Sequence, residues 1–215
     1  DLLHRPRVGA DLITTVNSKL QAVAVQAMGS DKGAIVAIDP RTGAVLAMVS
    51  VPYFDPNRLD QNWNQLQSDP NKALLNRATQ GLYVPGSAFK IVTATAAIDL
   101  GLVDLDKHYT CTEDLVVDGF RIANKNHIGI SDVTYVDDFA YSCNTTFAKT
   151  GLGLDTKPLP VGDQIPNPPP WAKGIDESRR RFEDYAHRFG LDSPLPFDLP
   201  TSTSTIGKAD LSRVE

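Results

Sequence analysis

Cysteine is scarce in this chain: Cys111 and Cys143 are the two in 215 residues. They are too few for a disulfide framework and stand at no metal-ligand spacing, so no metal centre is expected. Such sparse use is compatible with either redox compartment. No run of about 18 apolar residues occurs, which argues against a transmembrane helix, and the first residues lack a signal-peptide pattern. With no initiator methionine before Asp1, the chain reads as an excised piece. Positive charge is thin as well. The net charge is −5, and the longest basic cluster is Arg179-Arg180-Arg181, which reads as a solvated helix face. A phosphate backbone finds no electrostatic footprint there, so no nucleic-acid partner is expected. No internal repeat is present. What remains is ordinary for a globular domain with one core: 41% apolar and 22% charged residues.

The most informative stretch is Tyr83-Val84-Pro85-Gly86-Ser87-Ala88-Phe89-Lys90, followed by the apolar run from Ile91 to Leu100. Pro85 and Gly86 break the chain ahead of Ser87. Phe89, Val92, Ala96 and Leu100 then recur at helical spacing, and Gly101 stands where a C′ residue ends a helix. A serine on the first turn points its hydroxyl into the positive end of the helix dipole, which favours a developing alkoxide. Lys90, three residues on, rises on the same face. A lysine desolvated there titrates below its usual range and can take the serine proton. Alone, S-x-x-K describes an N-capping serine and a solvated lysine equally well. A second element shifts the balance: Tyr141-Ser142-Cys143-Asn144-Thr145-Thr146-Phe147 supplies S-x-N, which adds Ser142 and Asn144 as candidates.

With their flanks, Pro-Gly-Ser-x-Phe-Lys-Ile and Ser-Cys-Asn-Thr-x-Phe, the two motifs resemble the transpeptidase domain of class B penicillin-binding proteins. The resemblance implies an α+β fold of the penicillin-binding-protein and serine β-lactamase type. It implies a D,D-transpeptidase in which Ser87 attacks a D-Ala-D-Ala stem peptide and Lys90 is the general base. Ser142 would relay a proton to the leaving amine, and Asn144 would hydrogen-bond the substrate amide and Lys90. β-Lactams would acylate the same serine. No metal or organic cofactor is implied. The implied partners are the peptidoglycan stem peptide, β-lactam antibiotics and other cell-wall synthesis proteins. The implied location is outside the cytoplasmic membrane, on an N-terminal anchor not contained in these residues. Rival readings are a serine β-lactamase or β-lactam sensor, told apart by deacylation rate, and a D,D-carboxypeptidase, told apart by water as acceptor. A non-catalytic interaction module of the cell-wall machinery is a rival of another class.

The rest of the chain gives coarser expectations. Residues 1–10 read as a linker and Asp11–Val16 as an extended run. A helix is expected from Asn17 to Gly29, with Leu20, Val23, Ala24 and Ala27 on one face. Gly33 to Val51 reads as a hairpin around Asp39-Pro40-Arg41-Thr42-Gly43, apolar on both faces and hence buried between layers. Pro52–Asn76 reads as loop, with Arg77 in a structural ion pair. Leu102–Ser131 reads as irregular, and His127 as a loop histidine, since a lysine already fills the role of base. Ser131 to Thr134 can cap a helix that runs to Tyr141. Lys149-Thr150-Gly151 spells the third motif of the resembled family, but it continues the helix from Asn144 and is read as coincidence. The proline-rich 156–170 segment reads as a surface excursion, and Trp171-x-x-Gly174 as a chance spacing. A last helix is expected over Glu177–Phe189, closed by Gly190.

Residues 11–215 are therefore expected to be the front portion of a transpeptidase domain. That portion is a helical subdomain plus one antiparallel hairpin, with the later sheet strands absent. The resemblance places one oxyanion-hole donor on a strand bearing K-T-G, so the chain alone is expected to be a catalytically incomplete fragment.

Overall fold

A computed structural model describes residues 9–117, 119–124, 129–153 and 175–206. Two compact units emerge. The first runs to Leu82 and takes in Phe197–Ser202; the second starts at Tyr83.

In the first unit, α1 spans Ser18–Met28, and Asn17 accepts from the backbone N–H groups of Lys19 and Leu20 at its start. Strands β1 (Gly33–Ile38) and β2 (Val45–Val51) form an antiparallel pair with a register shift between Ala37 and Ile38. Gln21 locks helix to sheet. Its side-chain amide donates to the Met48 carbonyl and accepts from the Met48 N–H, both at 2.8 Å. Ala24 packs with Ala47, Val49 and Val51 to form this unit's core. The apolar faces of the hairpin are not both covered: α1 and α3 pack on it, yet Val36 and Ile38 stay exposed.

Asp11–Val16 forms no strand. The Pro52–Asn76 segment corrects the expectation of loop. It holds a 3-10 turn at Pro56–Arg58 and then α2 at Leu59–Gln67. Asp55 caps the turn with Pro56 at its first position, and Leu59, Trp63 and Leu66 follow at helical spacing. The short helix α3 is Arg77–Gln80. Arg77 is buried, yet among the described residues it makes no ion pair. Its guanidinium donates to the backbone carbonyls of Lys72 and Asn71. A charge-assisted bond to a fixed carbonyl serves a buried arginine where no carboxylate is near.

The second unit is organised around α4, Lys90–Asp99. A 3-10 turn, Gly86–Phe89, leads into it. Gly101, at φ 65°, ends it: the Gly101 N–H donates to the Ile98 carbonyl and the Leu102 N–H to that of Ala97. That is a Schellman motif, which satisfies the last carbonyls of the helix. Leu102–Ser131 is not irregular. It contains β3 (His108–Cys111), β4 (Asp114–Val117), β5 (Phe120–Ala123) and the start of β6 (Ile130–Thr134). β3 pairs with β6 and β4 with β5, each antiparallel. The unit is thus helical with two small strand pairs, where the sequence suggested helices alone.

Helix α5, Tyr135–Ala140, starts at a capping box in which Thr134 and Asp137 exchange hydrogen bonds. Helix α6 is Asn144–Gly153 and carries Lys149, Thr150 and Gly151, as read from the sequence. Helix α7, Ile175–Arg188, lays Tyr185 and Ala186 on Val92 and Ala96 of α4, and Phe182 meets Phe89 with ring centroids 5.3 Å apart. α6 packs against α4, α7, β3 and β5. The expectations for residues 1–8, His127, the 156–170 segment and Trp171–Gly174 lie outside the described residues.

Candidate active site

Pro85 and Gly86 turn the chain into α4. Gly86 has φ 55°, a conformation in which a Cβ is strained. The 3-10 geometry that follows nearly eclipses side chains three residues apart, so Ser87 and Lys90 stack along one edge. Ser87 is exposed and Lys90 half-buried.

Ser142 arrives from the other side on the turn between α5 and α6. The N–H of Ser142 donates to the Phe139 carbonyl and that of Cys143 to the Asp138 carbonyl, which closes α5 with a second Schellman motif. The left-handed position of that motif usually belongs to glycine; here Ser142 occupies it at φ 59°. A non-glycine residue there costs about 1 kcal/mol, and the strain delivers the hydroxyl. Ser142 Oγ lies 3.1 Å from Ser87 Oγ and 2.9 Å from Lys90 Nζ.

Lys90 is the hub. Its Nζ is 2.7 Å from the Ser142 carbonyl, 2.6 Å from Asn144 Oδ1 and 3.4 Å from Ser87 Oγ. The carbonyl and the amide oxygen only accept, so they commit two N–H bonds of the amine. The remaining valence faces the two serine hydroxyls. As an ammonium it donates to them; as a neutral amine it offers them a lone pair. Burial pushes the Lys90 pKa below the usual lysine value. The Phe147 ring, with its centroid 5.5 Å from Nζ, favours the cation and opposes that shift. A partly desolvated amine touching a serine hydroxyl can act as a general base.

All four residues singled out in the sequence, Ser87, Lys90, Ser142 and Asn144, thus meet at one point. Lys149 of the K-T-G triplet makes none of these contacts.

Three features around them had no sequence signal. Asn144 Nδ2 donates to the Ala123 carbonyl at 2.8 Å, which turns its Oδ1 toward Lys90. Asn124 accepts from the Asn144 N–H at 2.7 Å. Cys143, inside S-x-N, forms a disulfide with Cys111. The two sulfurs lie near Asp138, but a disulfide leaves no thiolate to ligate a metal. Asp138 is fully buried, and burial pushes its pKa up, with Thr146 nearby opposing the shift.

The strained turn makes a sharp comparison. Ser142→Gly and Ser142→Ala both delete the hydroxyl, but glycine accepts the left-handed conformation freely. Ser142→Gly should be more stable than Ser142→Ala by about 1 kcal/mol, read as denaturation midpoints. Equal stabilities would remove strain from the account of this turn.

The family model for the penicillin binding protein transpeptidase domain matches residues 33–213. The peptidoglycan D,D-transpeptidase PbpA of Mycobacterium tuberculosis is 33% identical over 218 residues, which cover 93% of this chain and 40% of that protein. The peptidoglycan D,D-transpeptidase MrdA of Escherichia coli is 40% identical over 103 residues, covering 46% of this chain and 16% of that protein. Among solved structures, the penicillin G acyl-enzyme complex of penicillin-binding protein A from M. tuberculosis matches with a TM-score of 0.76 and 29% identity. That match covers 96% of this chain and 46% of the other. The chain therefore spans less than half the length of these relatives.

Proposed function

The chain belongs to the penicillin-binding protein transpeptidase family, and on that premise we propose that its protein is a peptidoglycan D,D-transpeptidase whose nucleophile is Ser87. The observation that carries this reading is the contact of Lys90 Nζ with Ser142 Oγ and Asn144 Oδ1, beside Ser87 Oγ. Ser87 Oγ bonds to the carbonyl carbon of the penultimate D-Ala while its proton passes to Lys90 Nζ. Substrate closes the 3.4 Å gap between them, as catalytic hydrogen bonds are often loose without it. Ser142 then gives its proton to the leaving nitrogen and is reprotonated by the Lys90 ammonium. The C–N bond breaks and terminal D-Ala departs. An amine from a neighbouring strand attacks the resulting ester and, by the same steps in reverse, frees Ser87. Asn144 holds Lys90 and the substrate amide. A β-lactam takes the first step, but its leaving nitrogen stays tethered and the ester persists.

Stem peptides, β-lactams and other cell-wall synthesis proteins are the proposed partners. The reaction is placed outside the cytoplasmic membrane. The Cys111–Cys143 disulfide supports that location, since disulfides persist in oxidising compartments. Among the described residues no helix is long and apolar enough to cross a membrane, and the proposed anchor is sought elsewhere in the full-length protein.

Intact-mass analysis after incubation with benzylpenicillin tests the reading. The full-length protein should gain one penicillin mass that is absent from Ser87→Ala. No adduct on folded protein, or an adduct that survives Ser87→Ala, would overturn it. Rapid loss of the adduct would make the protein a β-lactamase.

A further inference from the structure

Helix α6 begins at Asn144, directly in the candidate site, and its first N–H groups need acceptors. The preceding residue normally supplies one through a side-chain oxygen. Here it is Cys143, whose sulfur is tied to Cys111 and lies 3.4 Å from the Thr146 N–H, a weak substitute. The acceptor for the Asn144 N–H comes instead from Asn124, 20 positions away in sequence.

We propose that Asn124 is a positioning residue for acyl transfer: its amide bridges the Thr112 carbonyl and the Asn144 backbone, and so fixes the turn that carries Ser142 and Asn144. The proposal rests on the reading of Ser87 as nucleophile. Asn124 Oδ1 takes the Asn144 N–H at 2.7 Å, while its Nδ2 donates to the Thr112 carbonyl and sits 3.1 Å from Cys111 Sγ. One orientation of the amide satisfies both sides, because the Asn144 N–H can only donate and the Thr112 carbonyl only accept.

The neighbouring Ala123 carbonyl holds the Asn144 side chain, so consecutive residues at the end of β5 grip Asn144 by both backbone and amide. Thr145 Oγ1 donates to the same Thr112 carbonyl at 3.0 Å, which ties the next residue of α6 to the same anchor. Asn124 touches no reacting atom. Its effect passes through Asn144 Oδ1, 2.6 Å from Lys90 Nζ, and displacements of about 1 Å in such contacts can cost 10²-fold in rate.

The test is stopped-flow acylation of the full-length protein by a fluorescent penicillin. It resolves the first-order acylation constant k2, the preceding dissociation constant, and the fraction of protein that reacts. Asn124→Ala should lower k2 at least tenfold, leave the reacting fraction near that of the parent, and change the dissociation constant less than k2. Asn124→Asp keeps an acceptor for the Asn144 N–H but sets a carboxylate oxygen against the Thr112 carbonyl, so its k2 should fall between the two.

A merely structural role would lower the reacting fraction and spare k2 in the molecules that react. That result, or k2 within twofold of the parent in both variants, would overturn the proposal. Should Asn124→Ala not fold, Asn124→Asp decides: a fall of threefold or more in k2 at full reacting fraction supports it, and an unchanged k2 overturns it. Failure of the unmodified protein to acylate at Ser87 is a separate outcome, which defeats the functional reading and the proposal with it.

Discussion

Replacing Lys90 with arginine is expected to lower the second-order rate of β-lactam acylation by about 10²–10⁴-fold, the range typical of losing a general base. The substitution separates two roles that Lys90 could play. Arginine keeps the positive charge and the donors that face the Ser142 carbonyl and Asn144 Oδ1. It cannot be deprotonated at any accessible pH, so it cannot accept the Ser87 proton. If Lys90 served only as a fixed cation, Lys90→Arg would keep most of the rate.

Lys90→Met removes charge and base together and should fall at least as far. It also leaves two oxygens without their donor, so its denaturation midpoint is measured alongside. The pH dependence gives a second reading. With Lys90 as the proposed base the working form is the neutral amine, so the rate should rise with pH through the Lys90 pKa. Burial places that limb below the usual lysine value. In Lys90→Arg the limb should vanish. A rate above one tenth of the parent's in Lys90→Arg, with the limb intact, would rule out proton transfer to this residue.

How far the sequence could be read depended on whether a signal was local. The turn that carries Ser87 is legible because Pro85, Gly86, the apolar spacing in α4 and Gly101 all act within a few residues. The closure of α4 by a Schellman motif follows from the same local rules. S-x-N was legible as a motif, and its place between two helices followed from the capping signal at Thr134. Helix α2 is masked in the sequence by three prolines and many Asn and Gln residues that suggest loop, although Asp55-Pro56 is itself a helix-start signal. Strands β3 to β6 are four or five residues long, too short for alternation to stand out, and β3 and β4 carry polar residues. An ion pair is the sequence expectation for Arg77; its partners are carbonyls that the folded path of residues 71–72 presents. Asn124 and the disulfide are long-range by nature. Nothing near Asn124 in sequence marks it as the acceptor for an N–H 20 positions on.

Removing the disulfide, as Cys111→Ala with Cys143→Ala, should cost about 4 kcal/mol of stability and 8–15 °C in Tm. The cysteines are 32 positions apart, and closing a loop of that length in the unfolded chain accounts for most of the stability. Both sulfurs are buried, with Cys111 3% and Cys143 2% exposed, so a thiol reductant reaches them only through opening of the fold. Reduction in mild dithiothreitol should therefore proceed no faster than unfolding. The cross-link also stands inside the candidate site, since Cys143 separates Ser142 from Asn144. Its loss should lower k2 for acylation at temperatures well below Tm, where the protein is fully folded. Arg77→Ala supplies the control. It removes a buried side chain and the donor to the Asn71 and Lys72 carbonyls in the other unit, and it should lower Tm while leaving k2 unchanged. If both proteins lose stability and keep k2, the cross-link braces the fold alone. If k2 falls in the cysteine variant only, the bond holds the turn that presents Ser142 and Asn144 to Lys90, in series with Asn124.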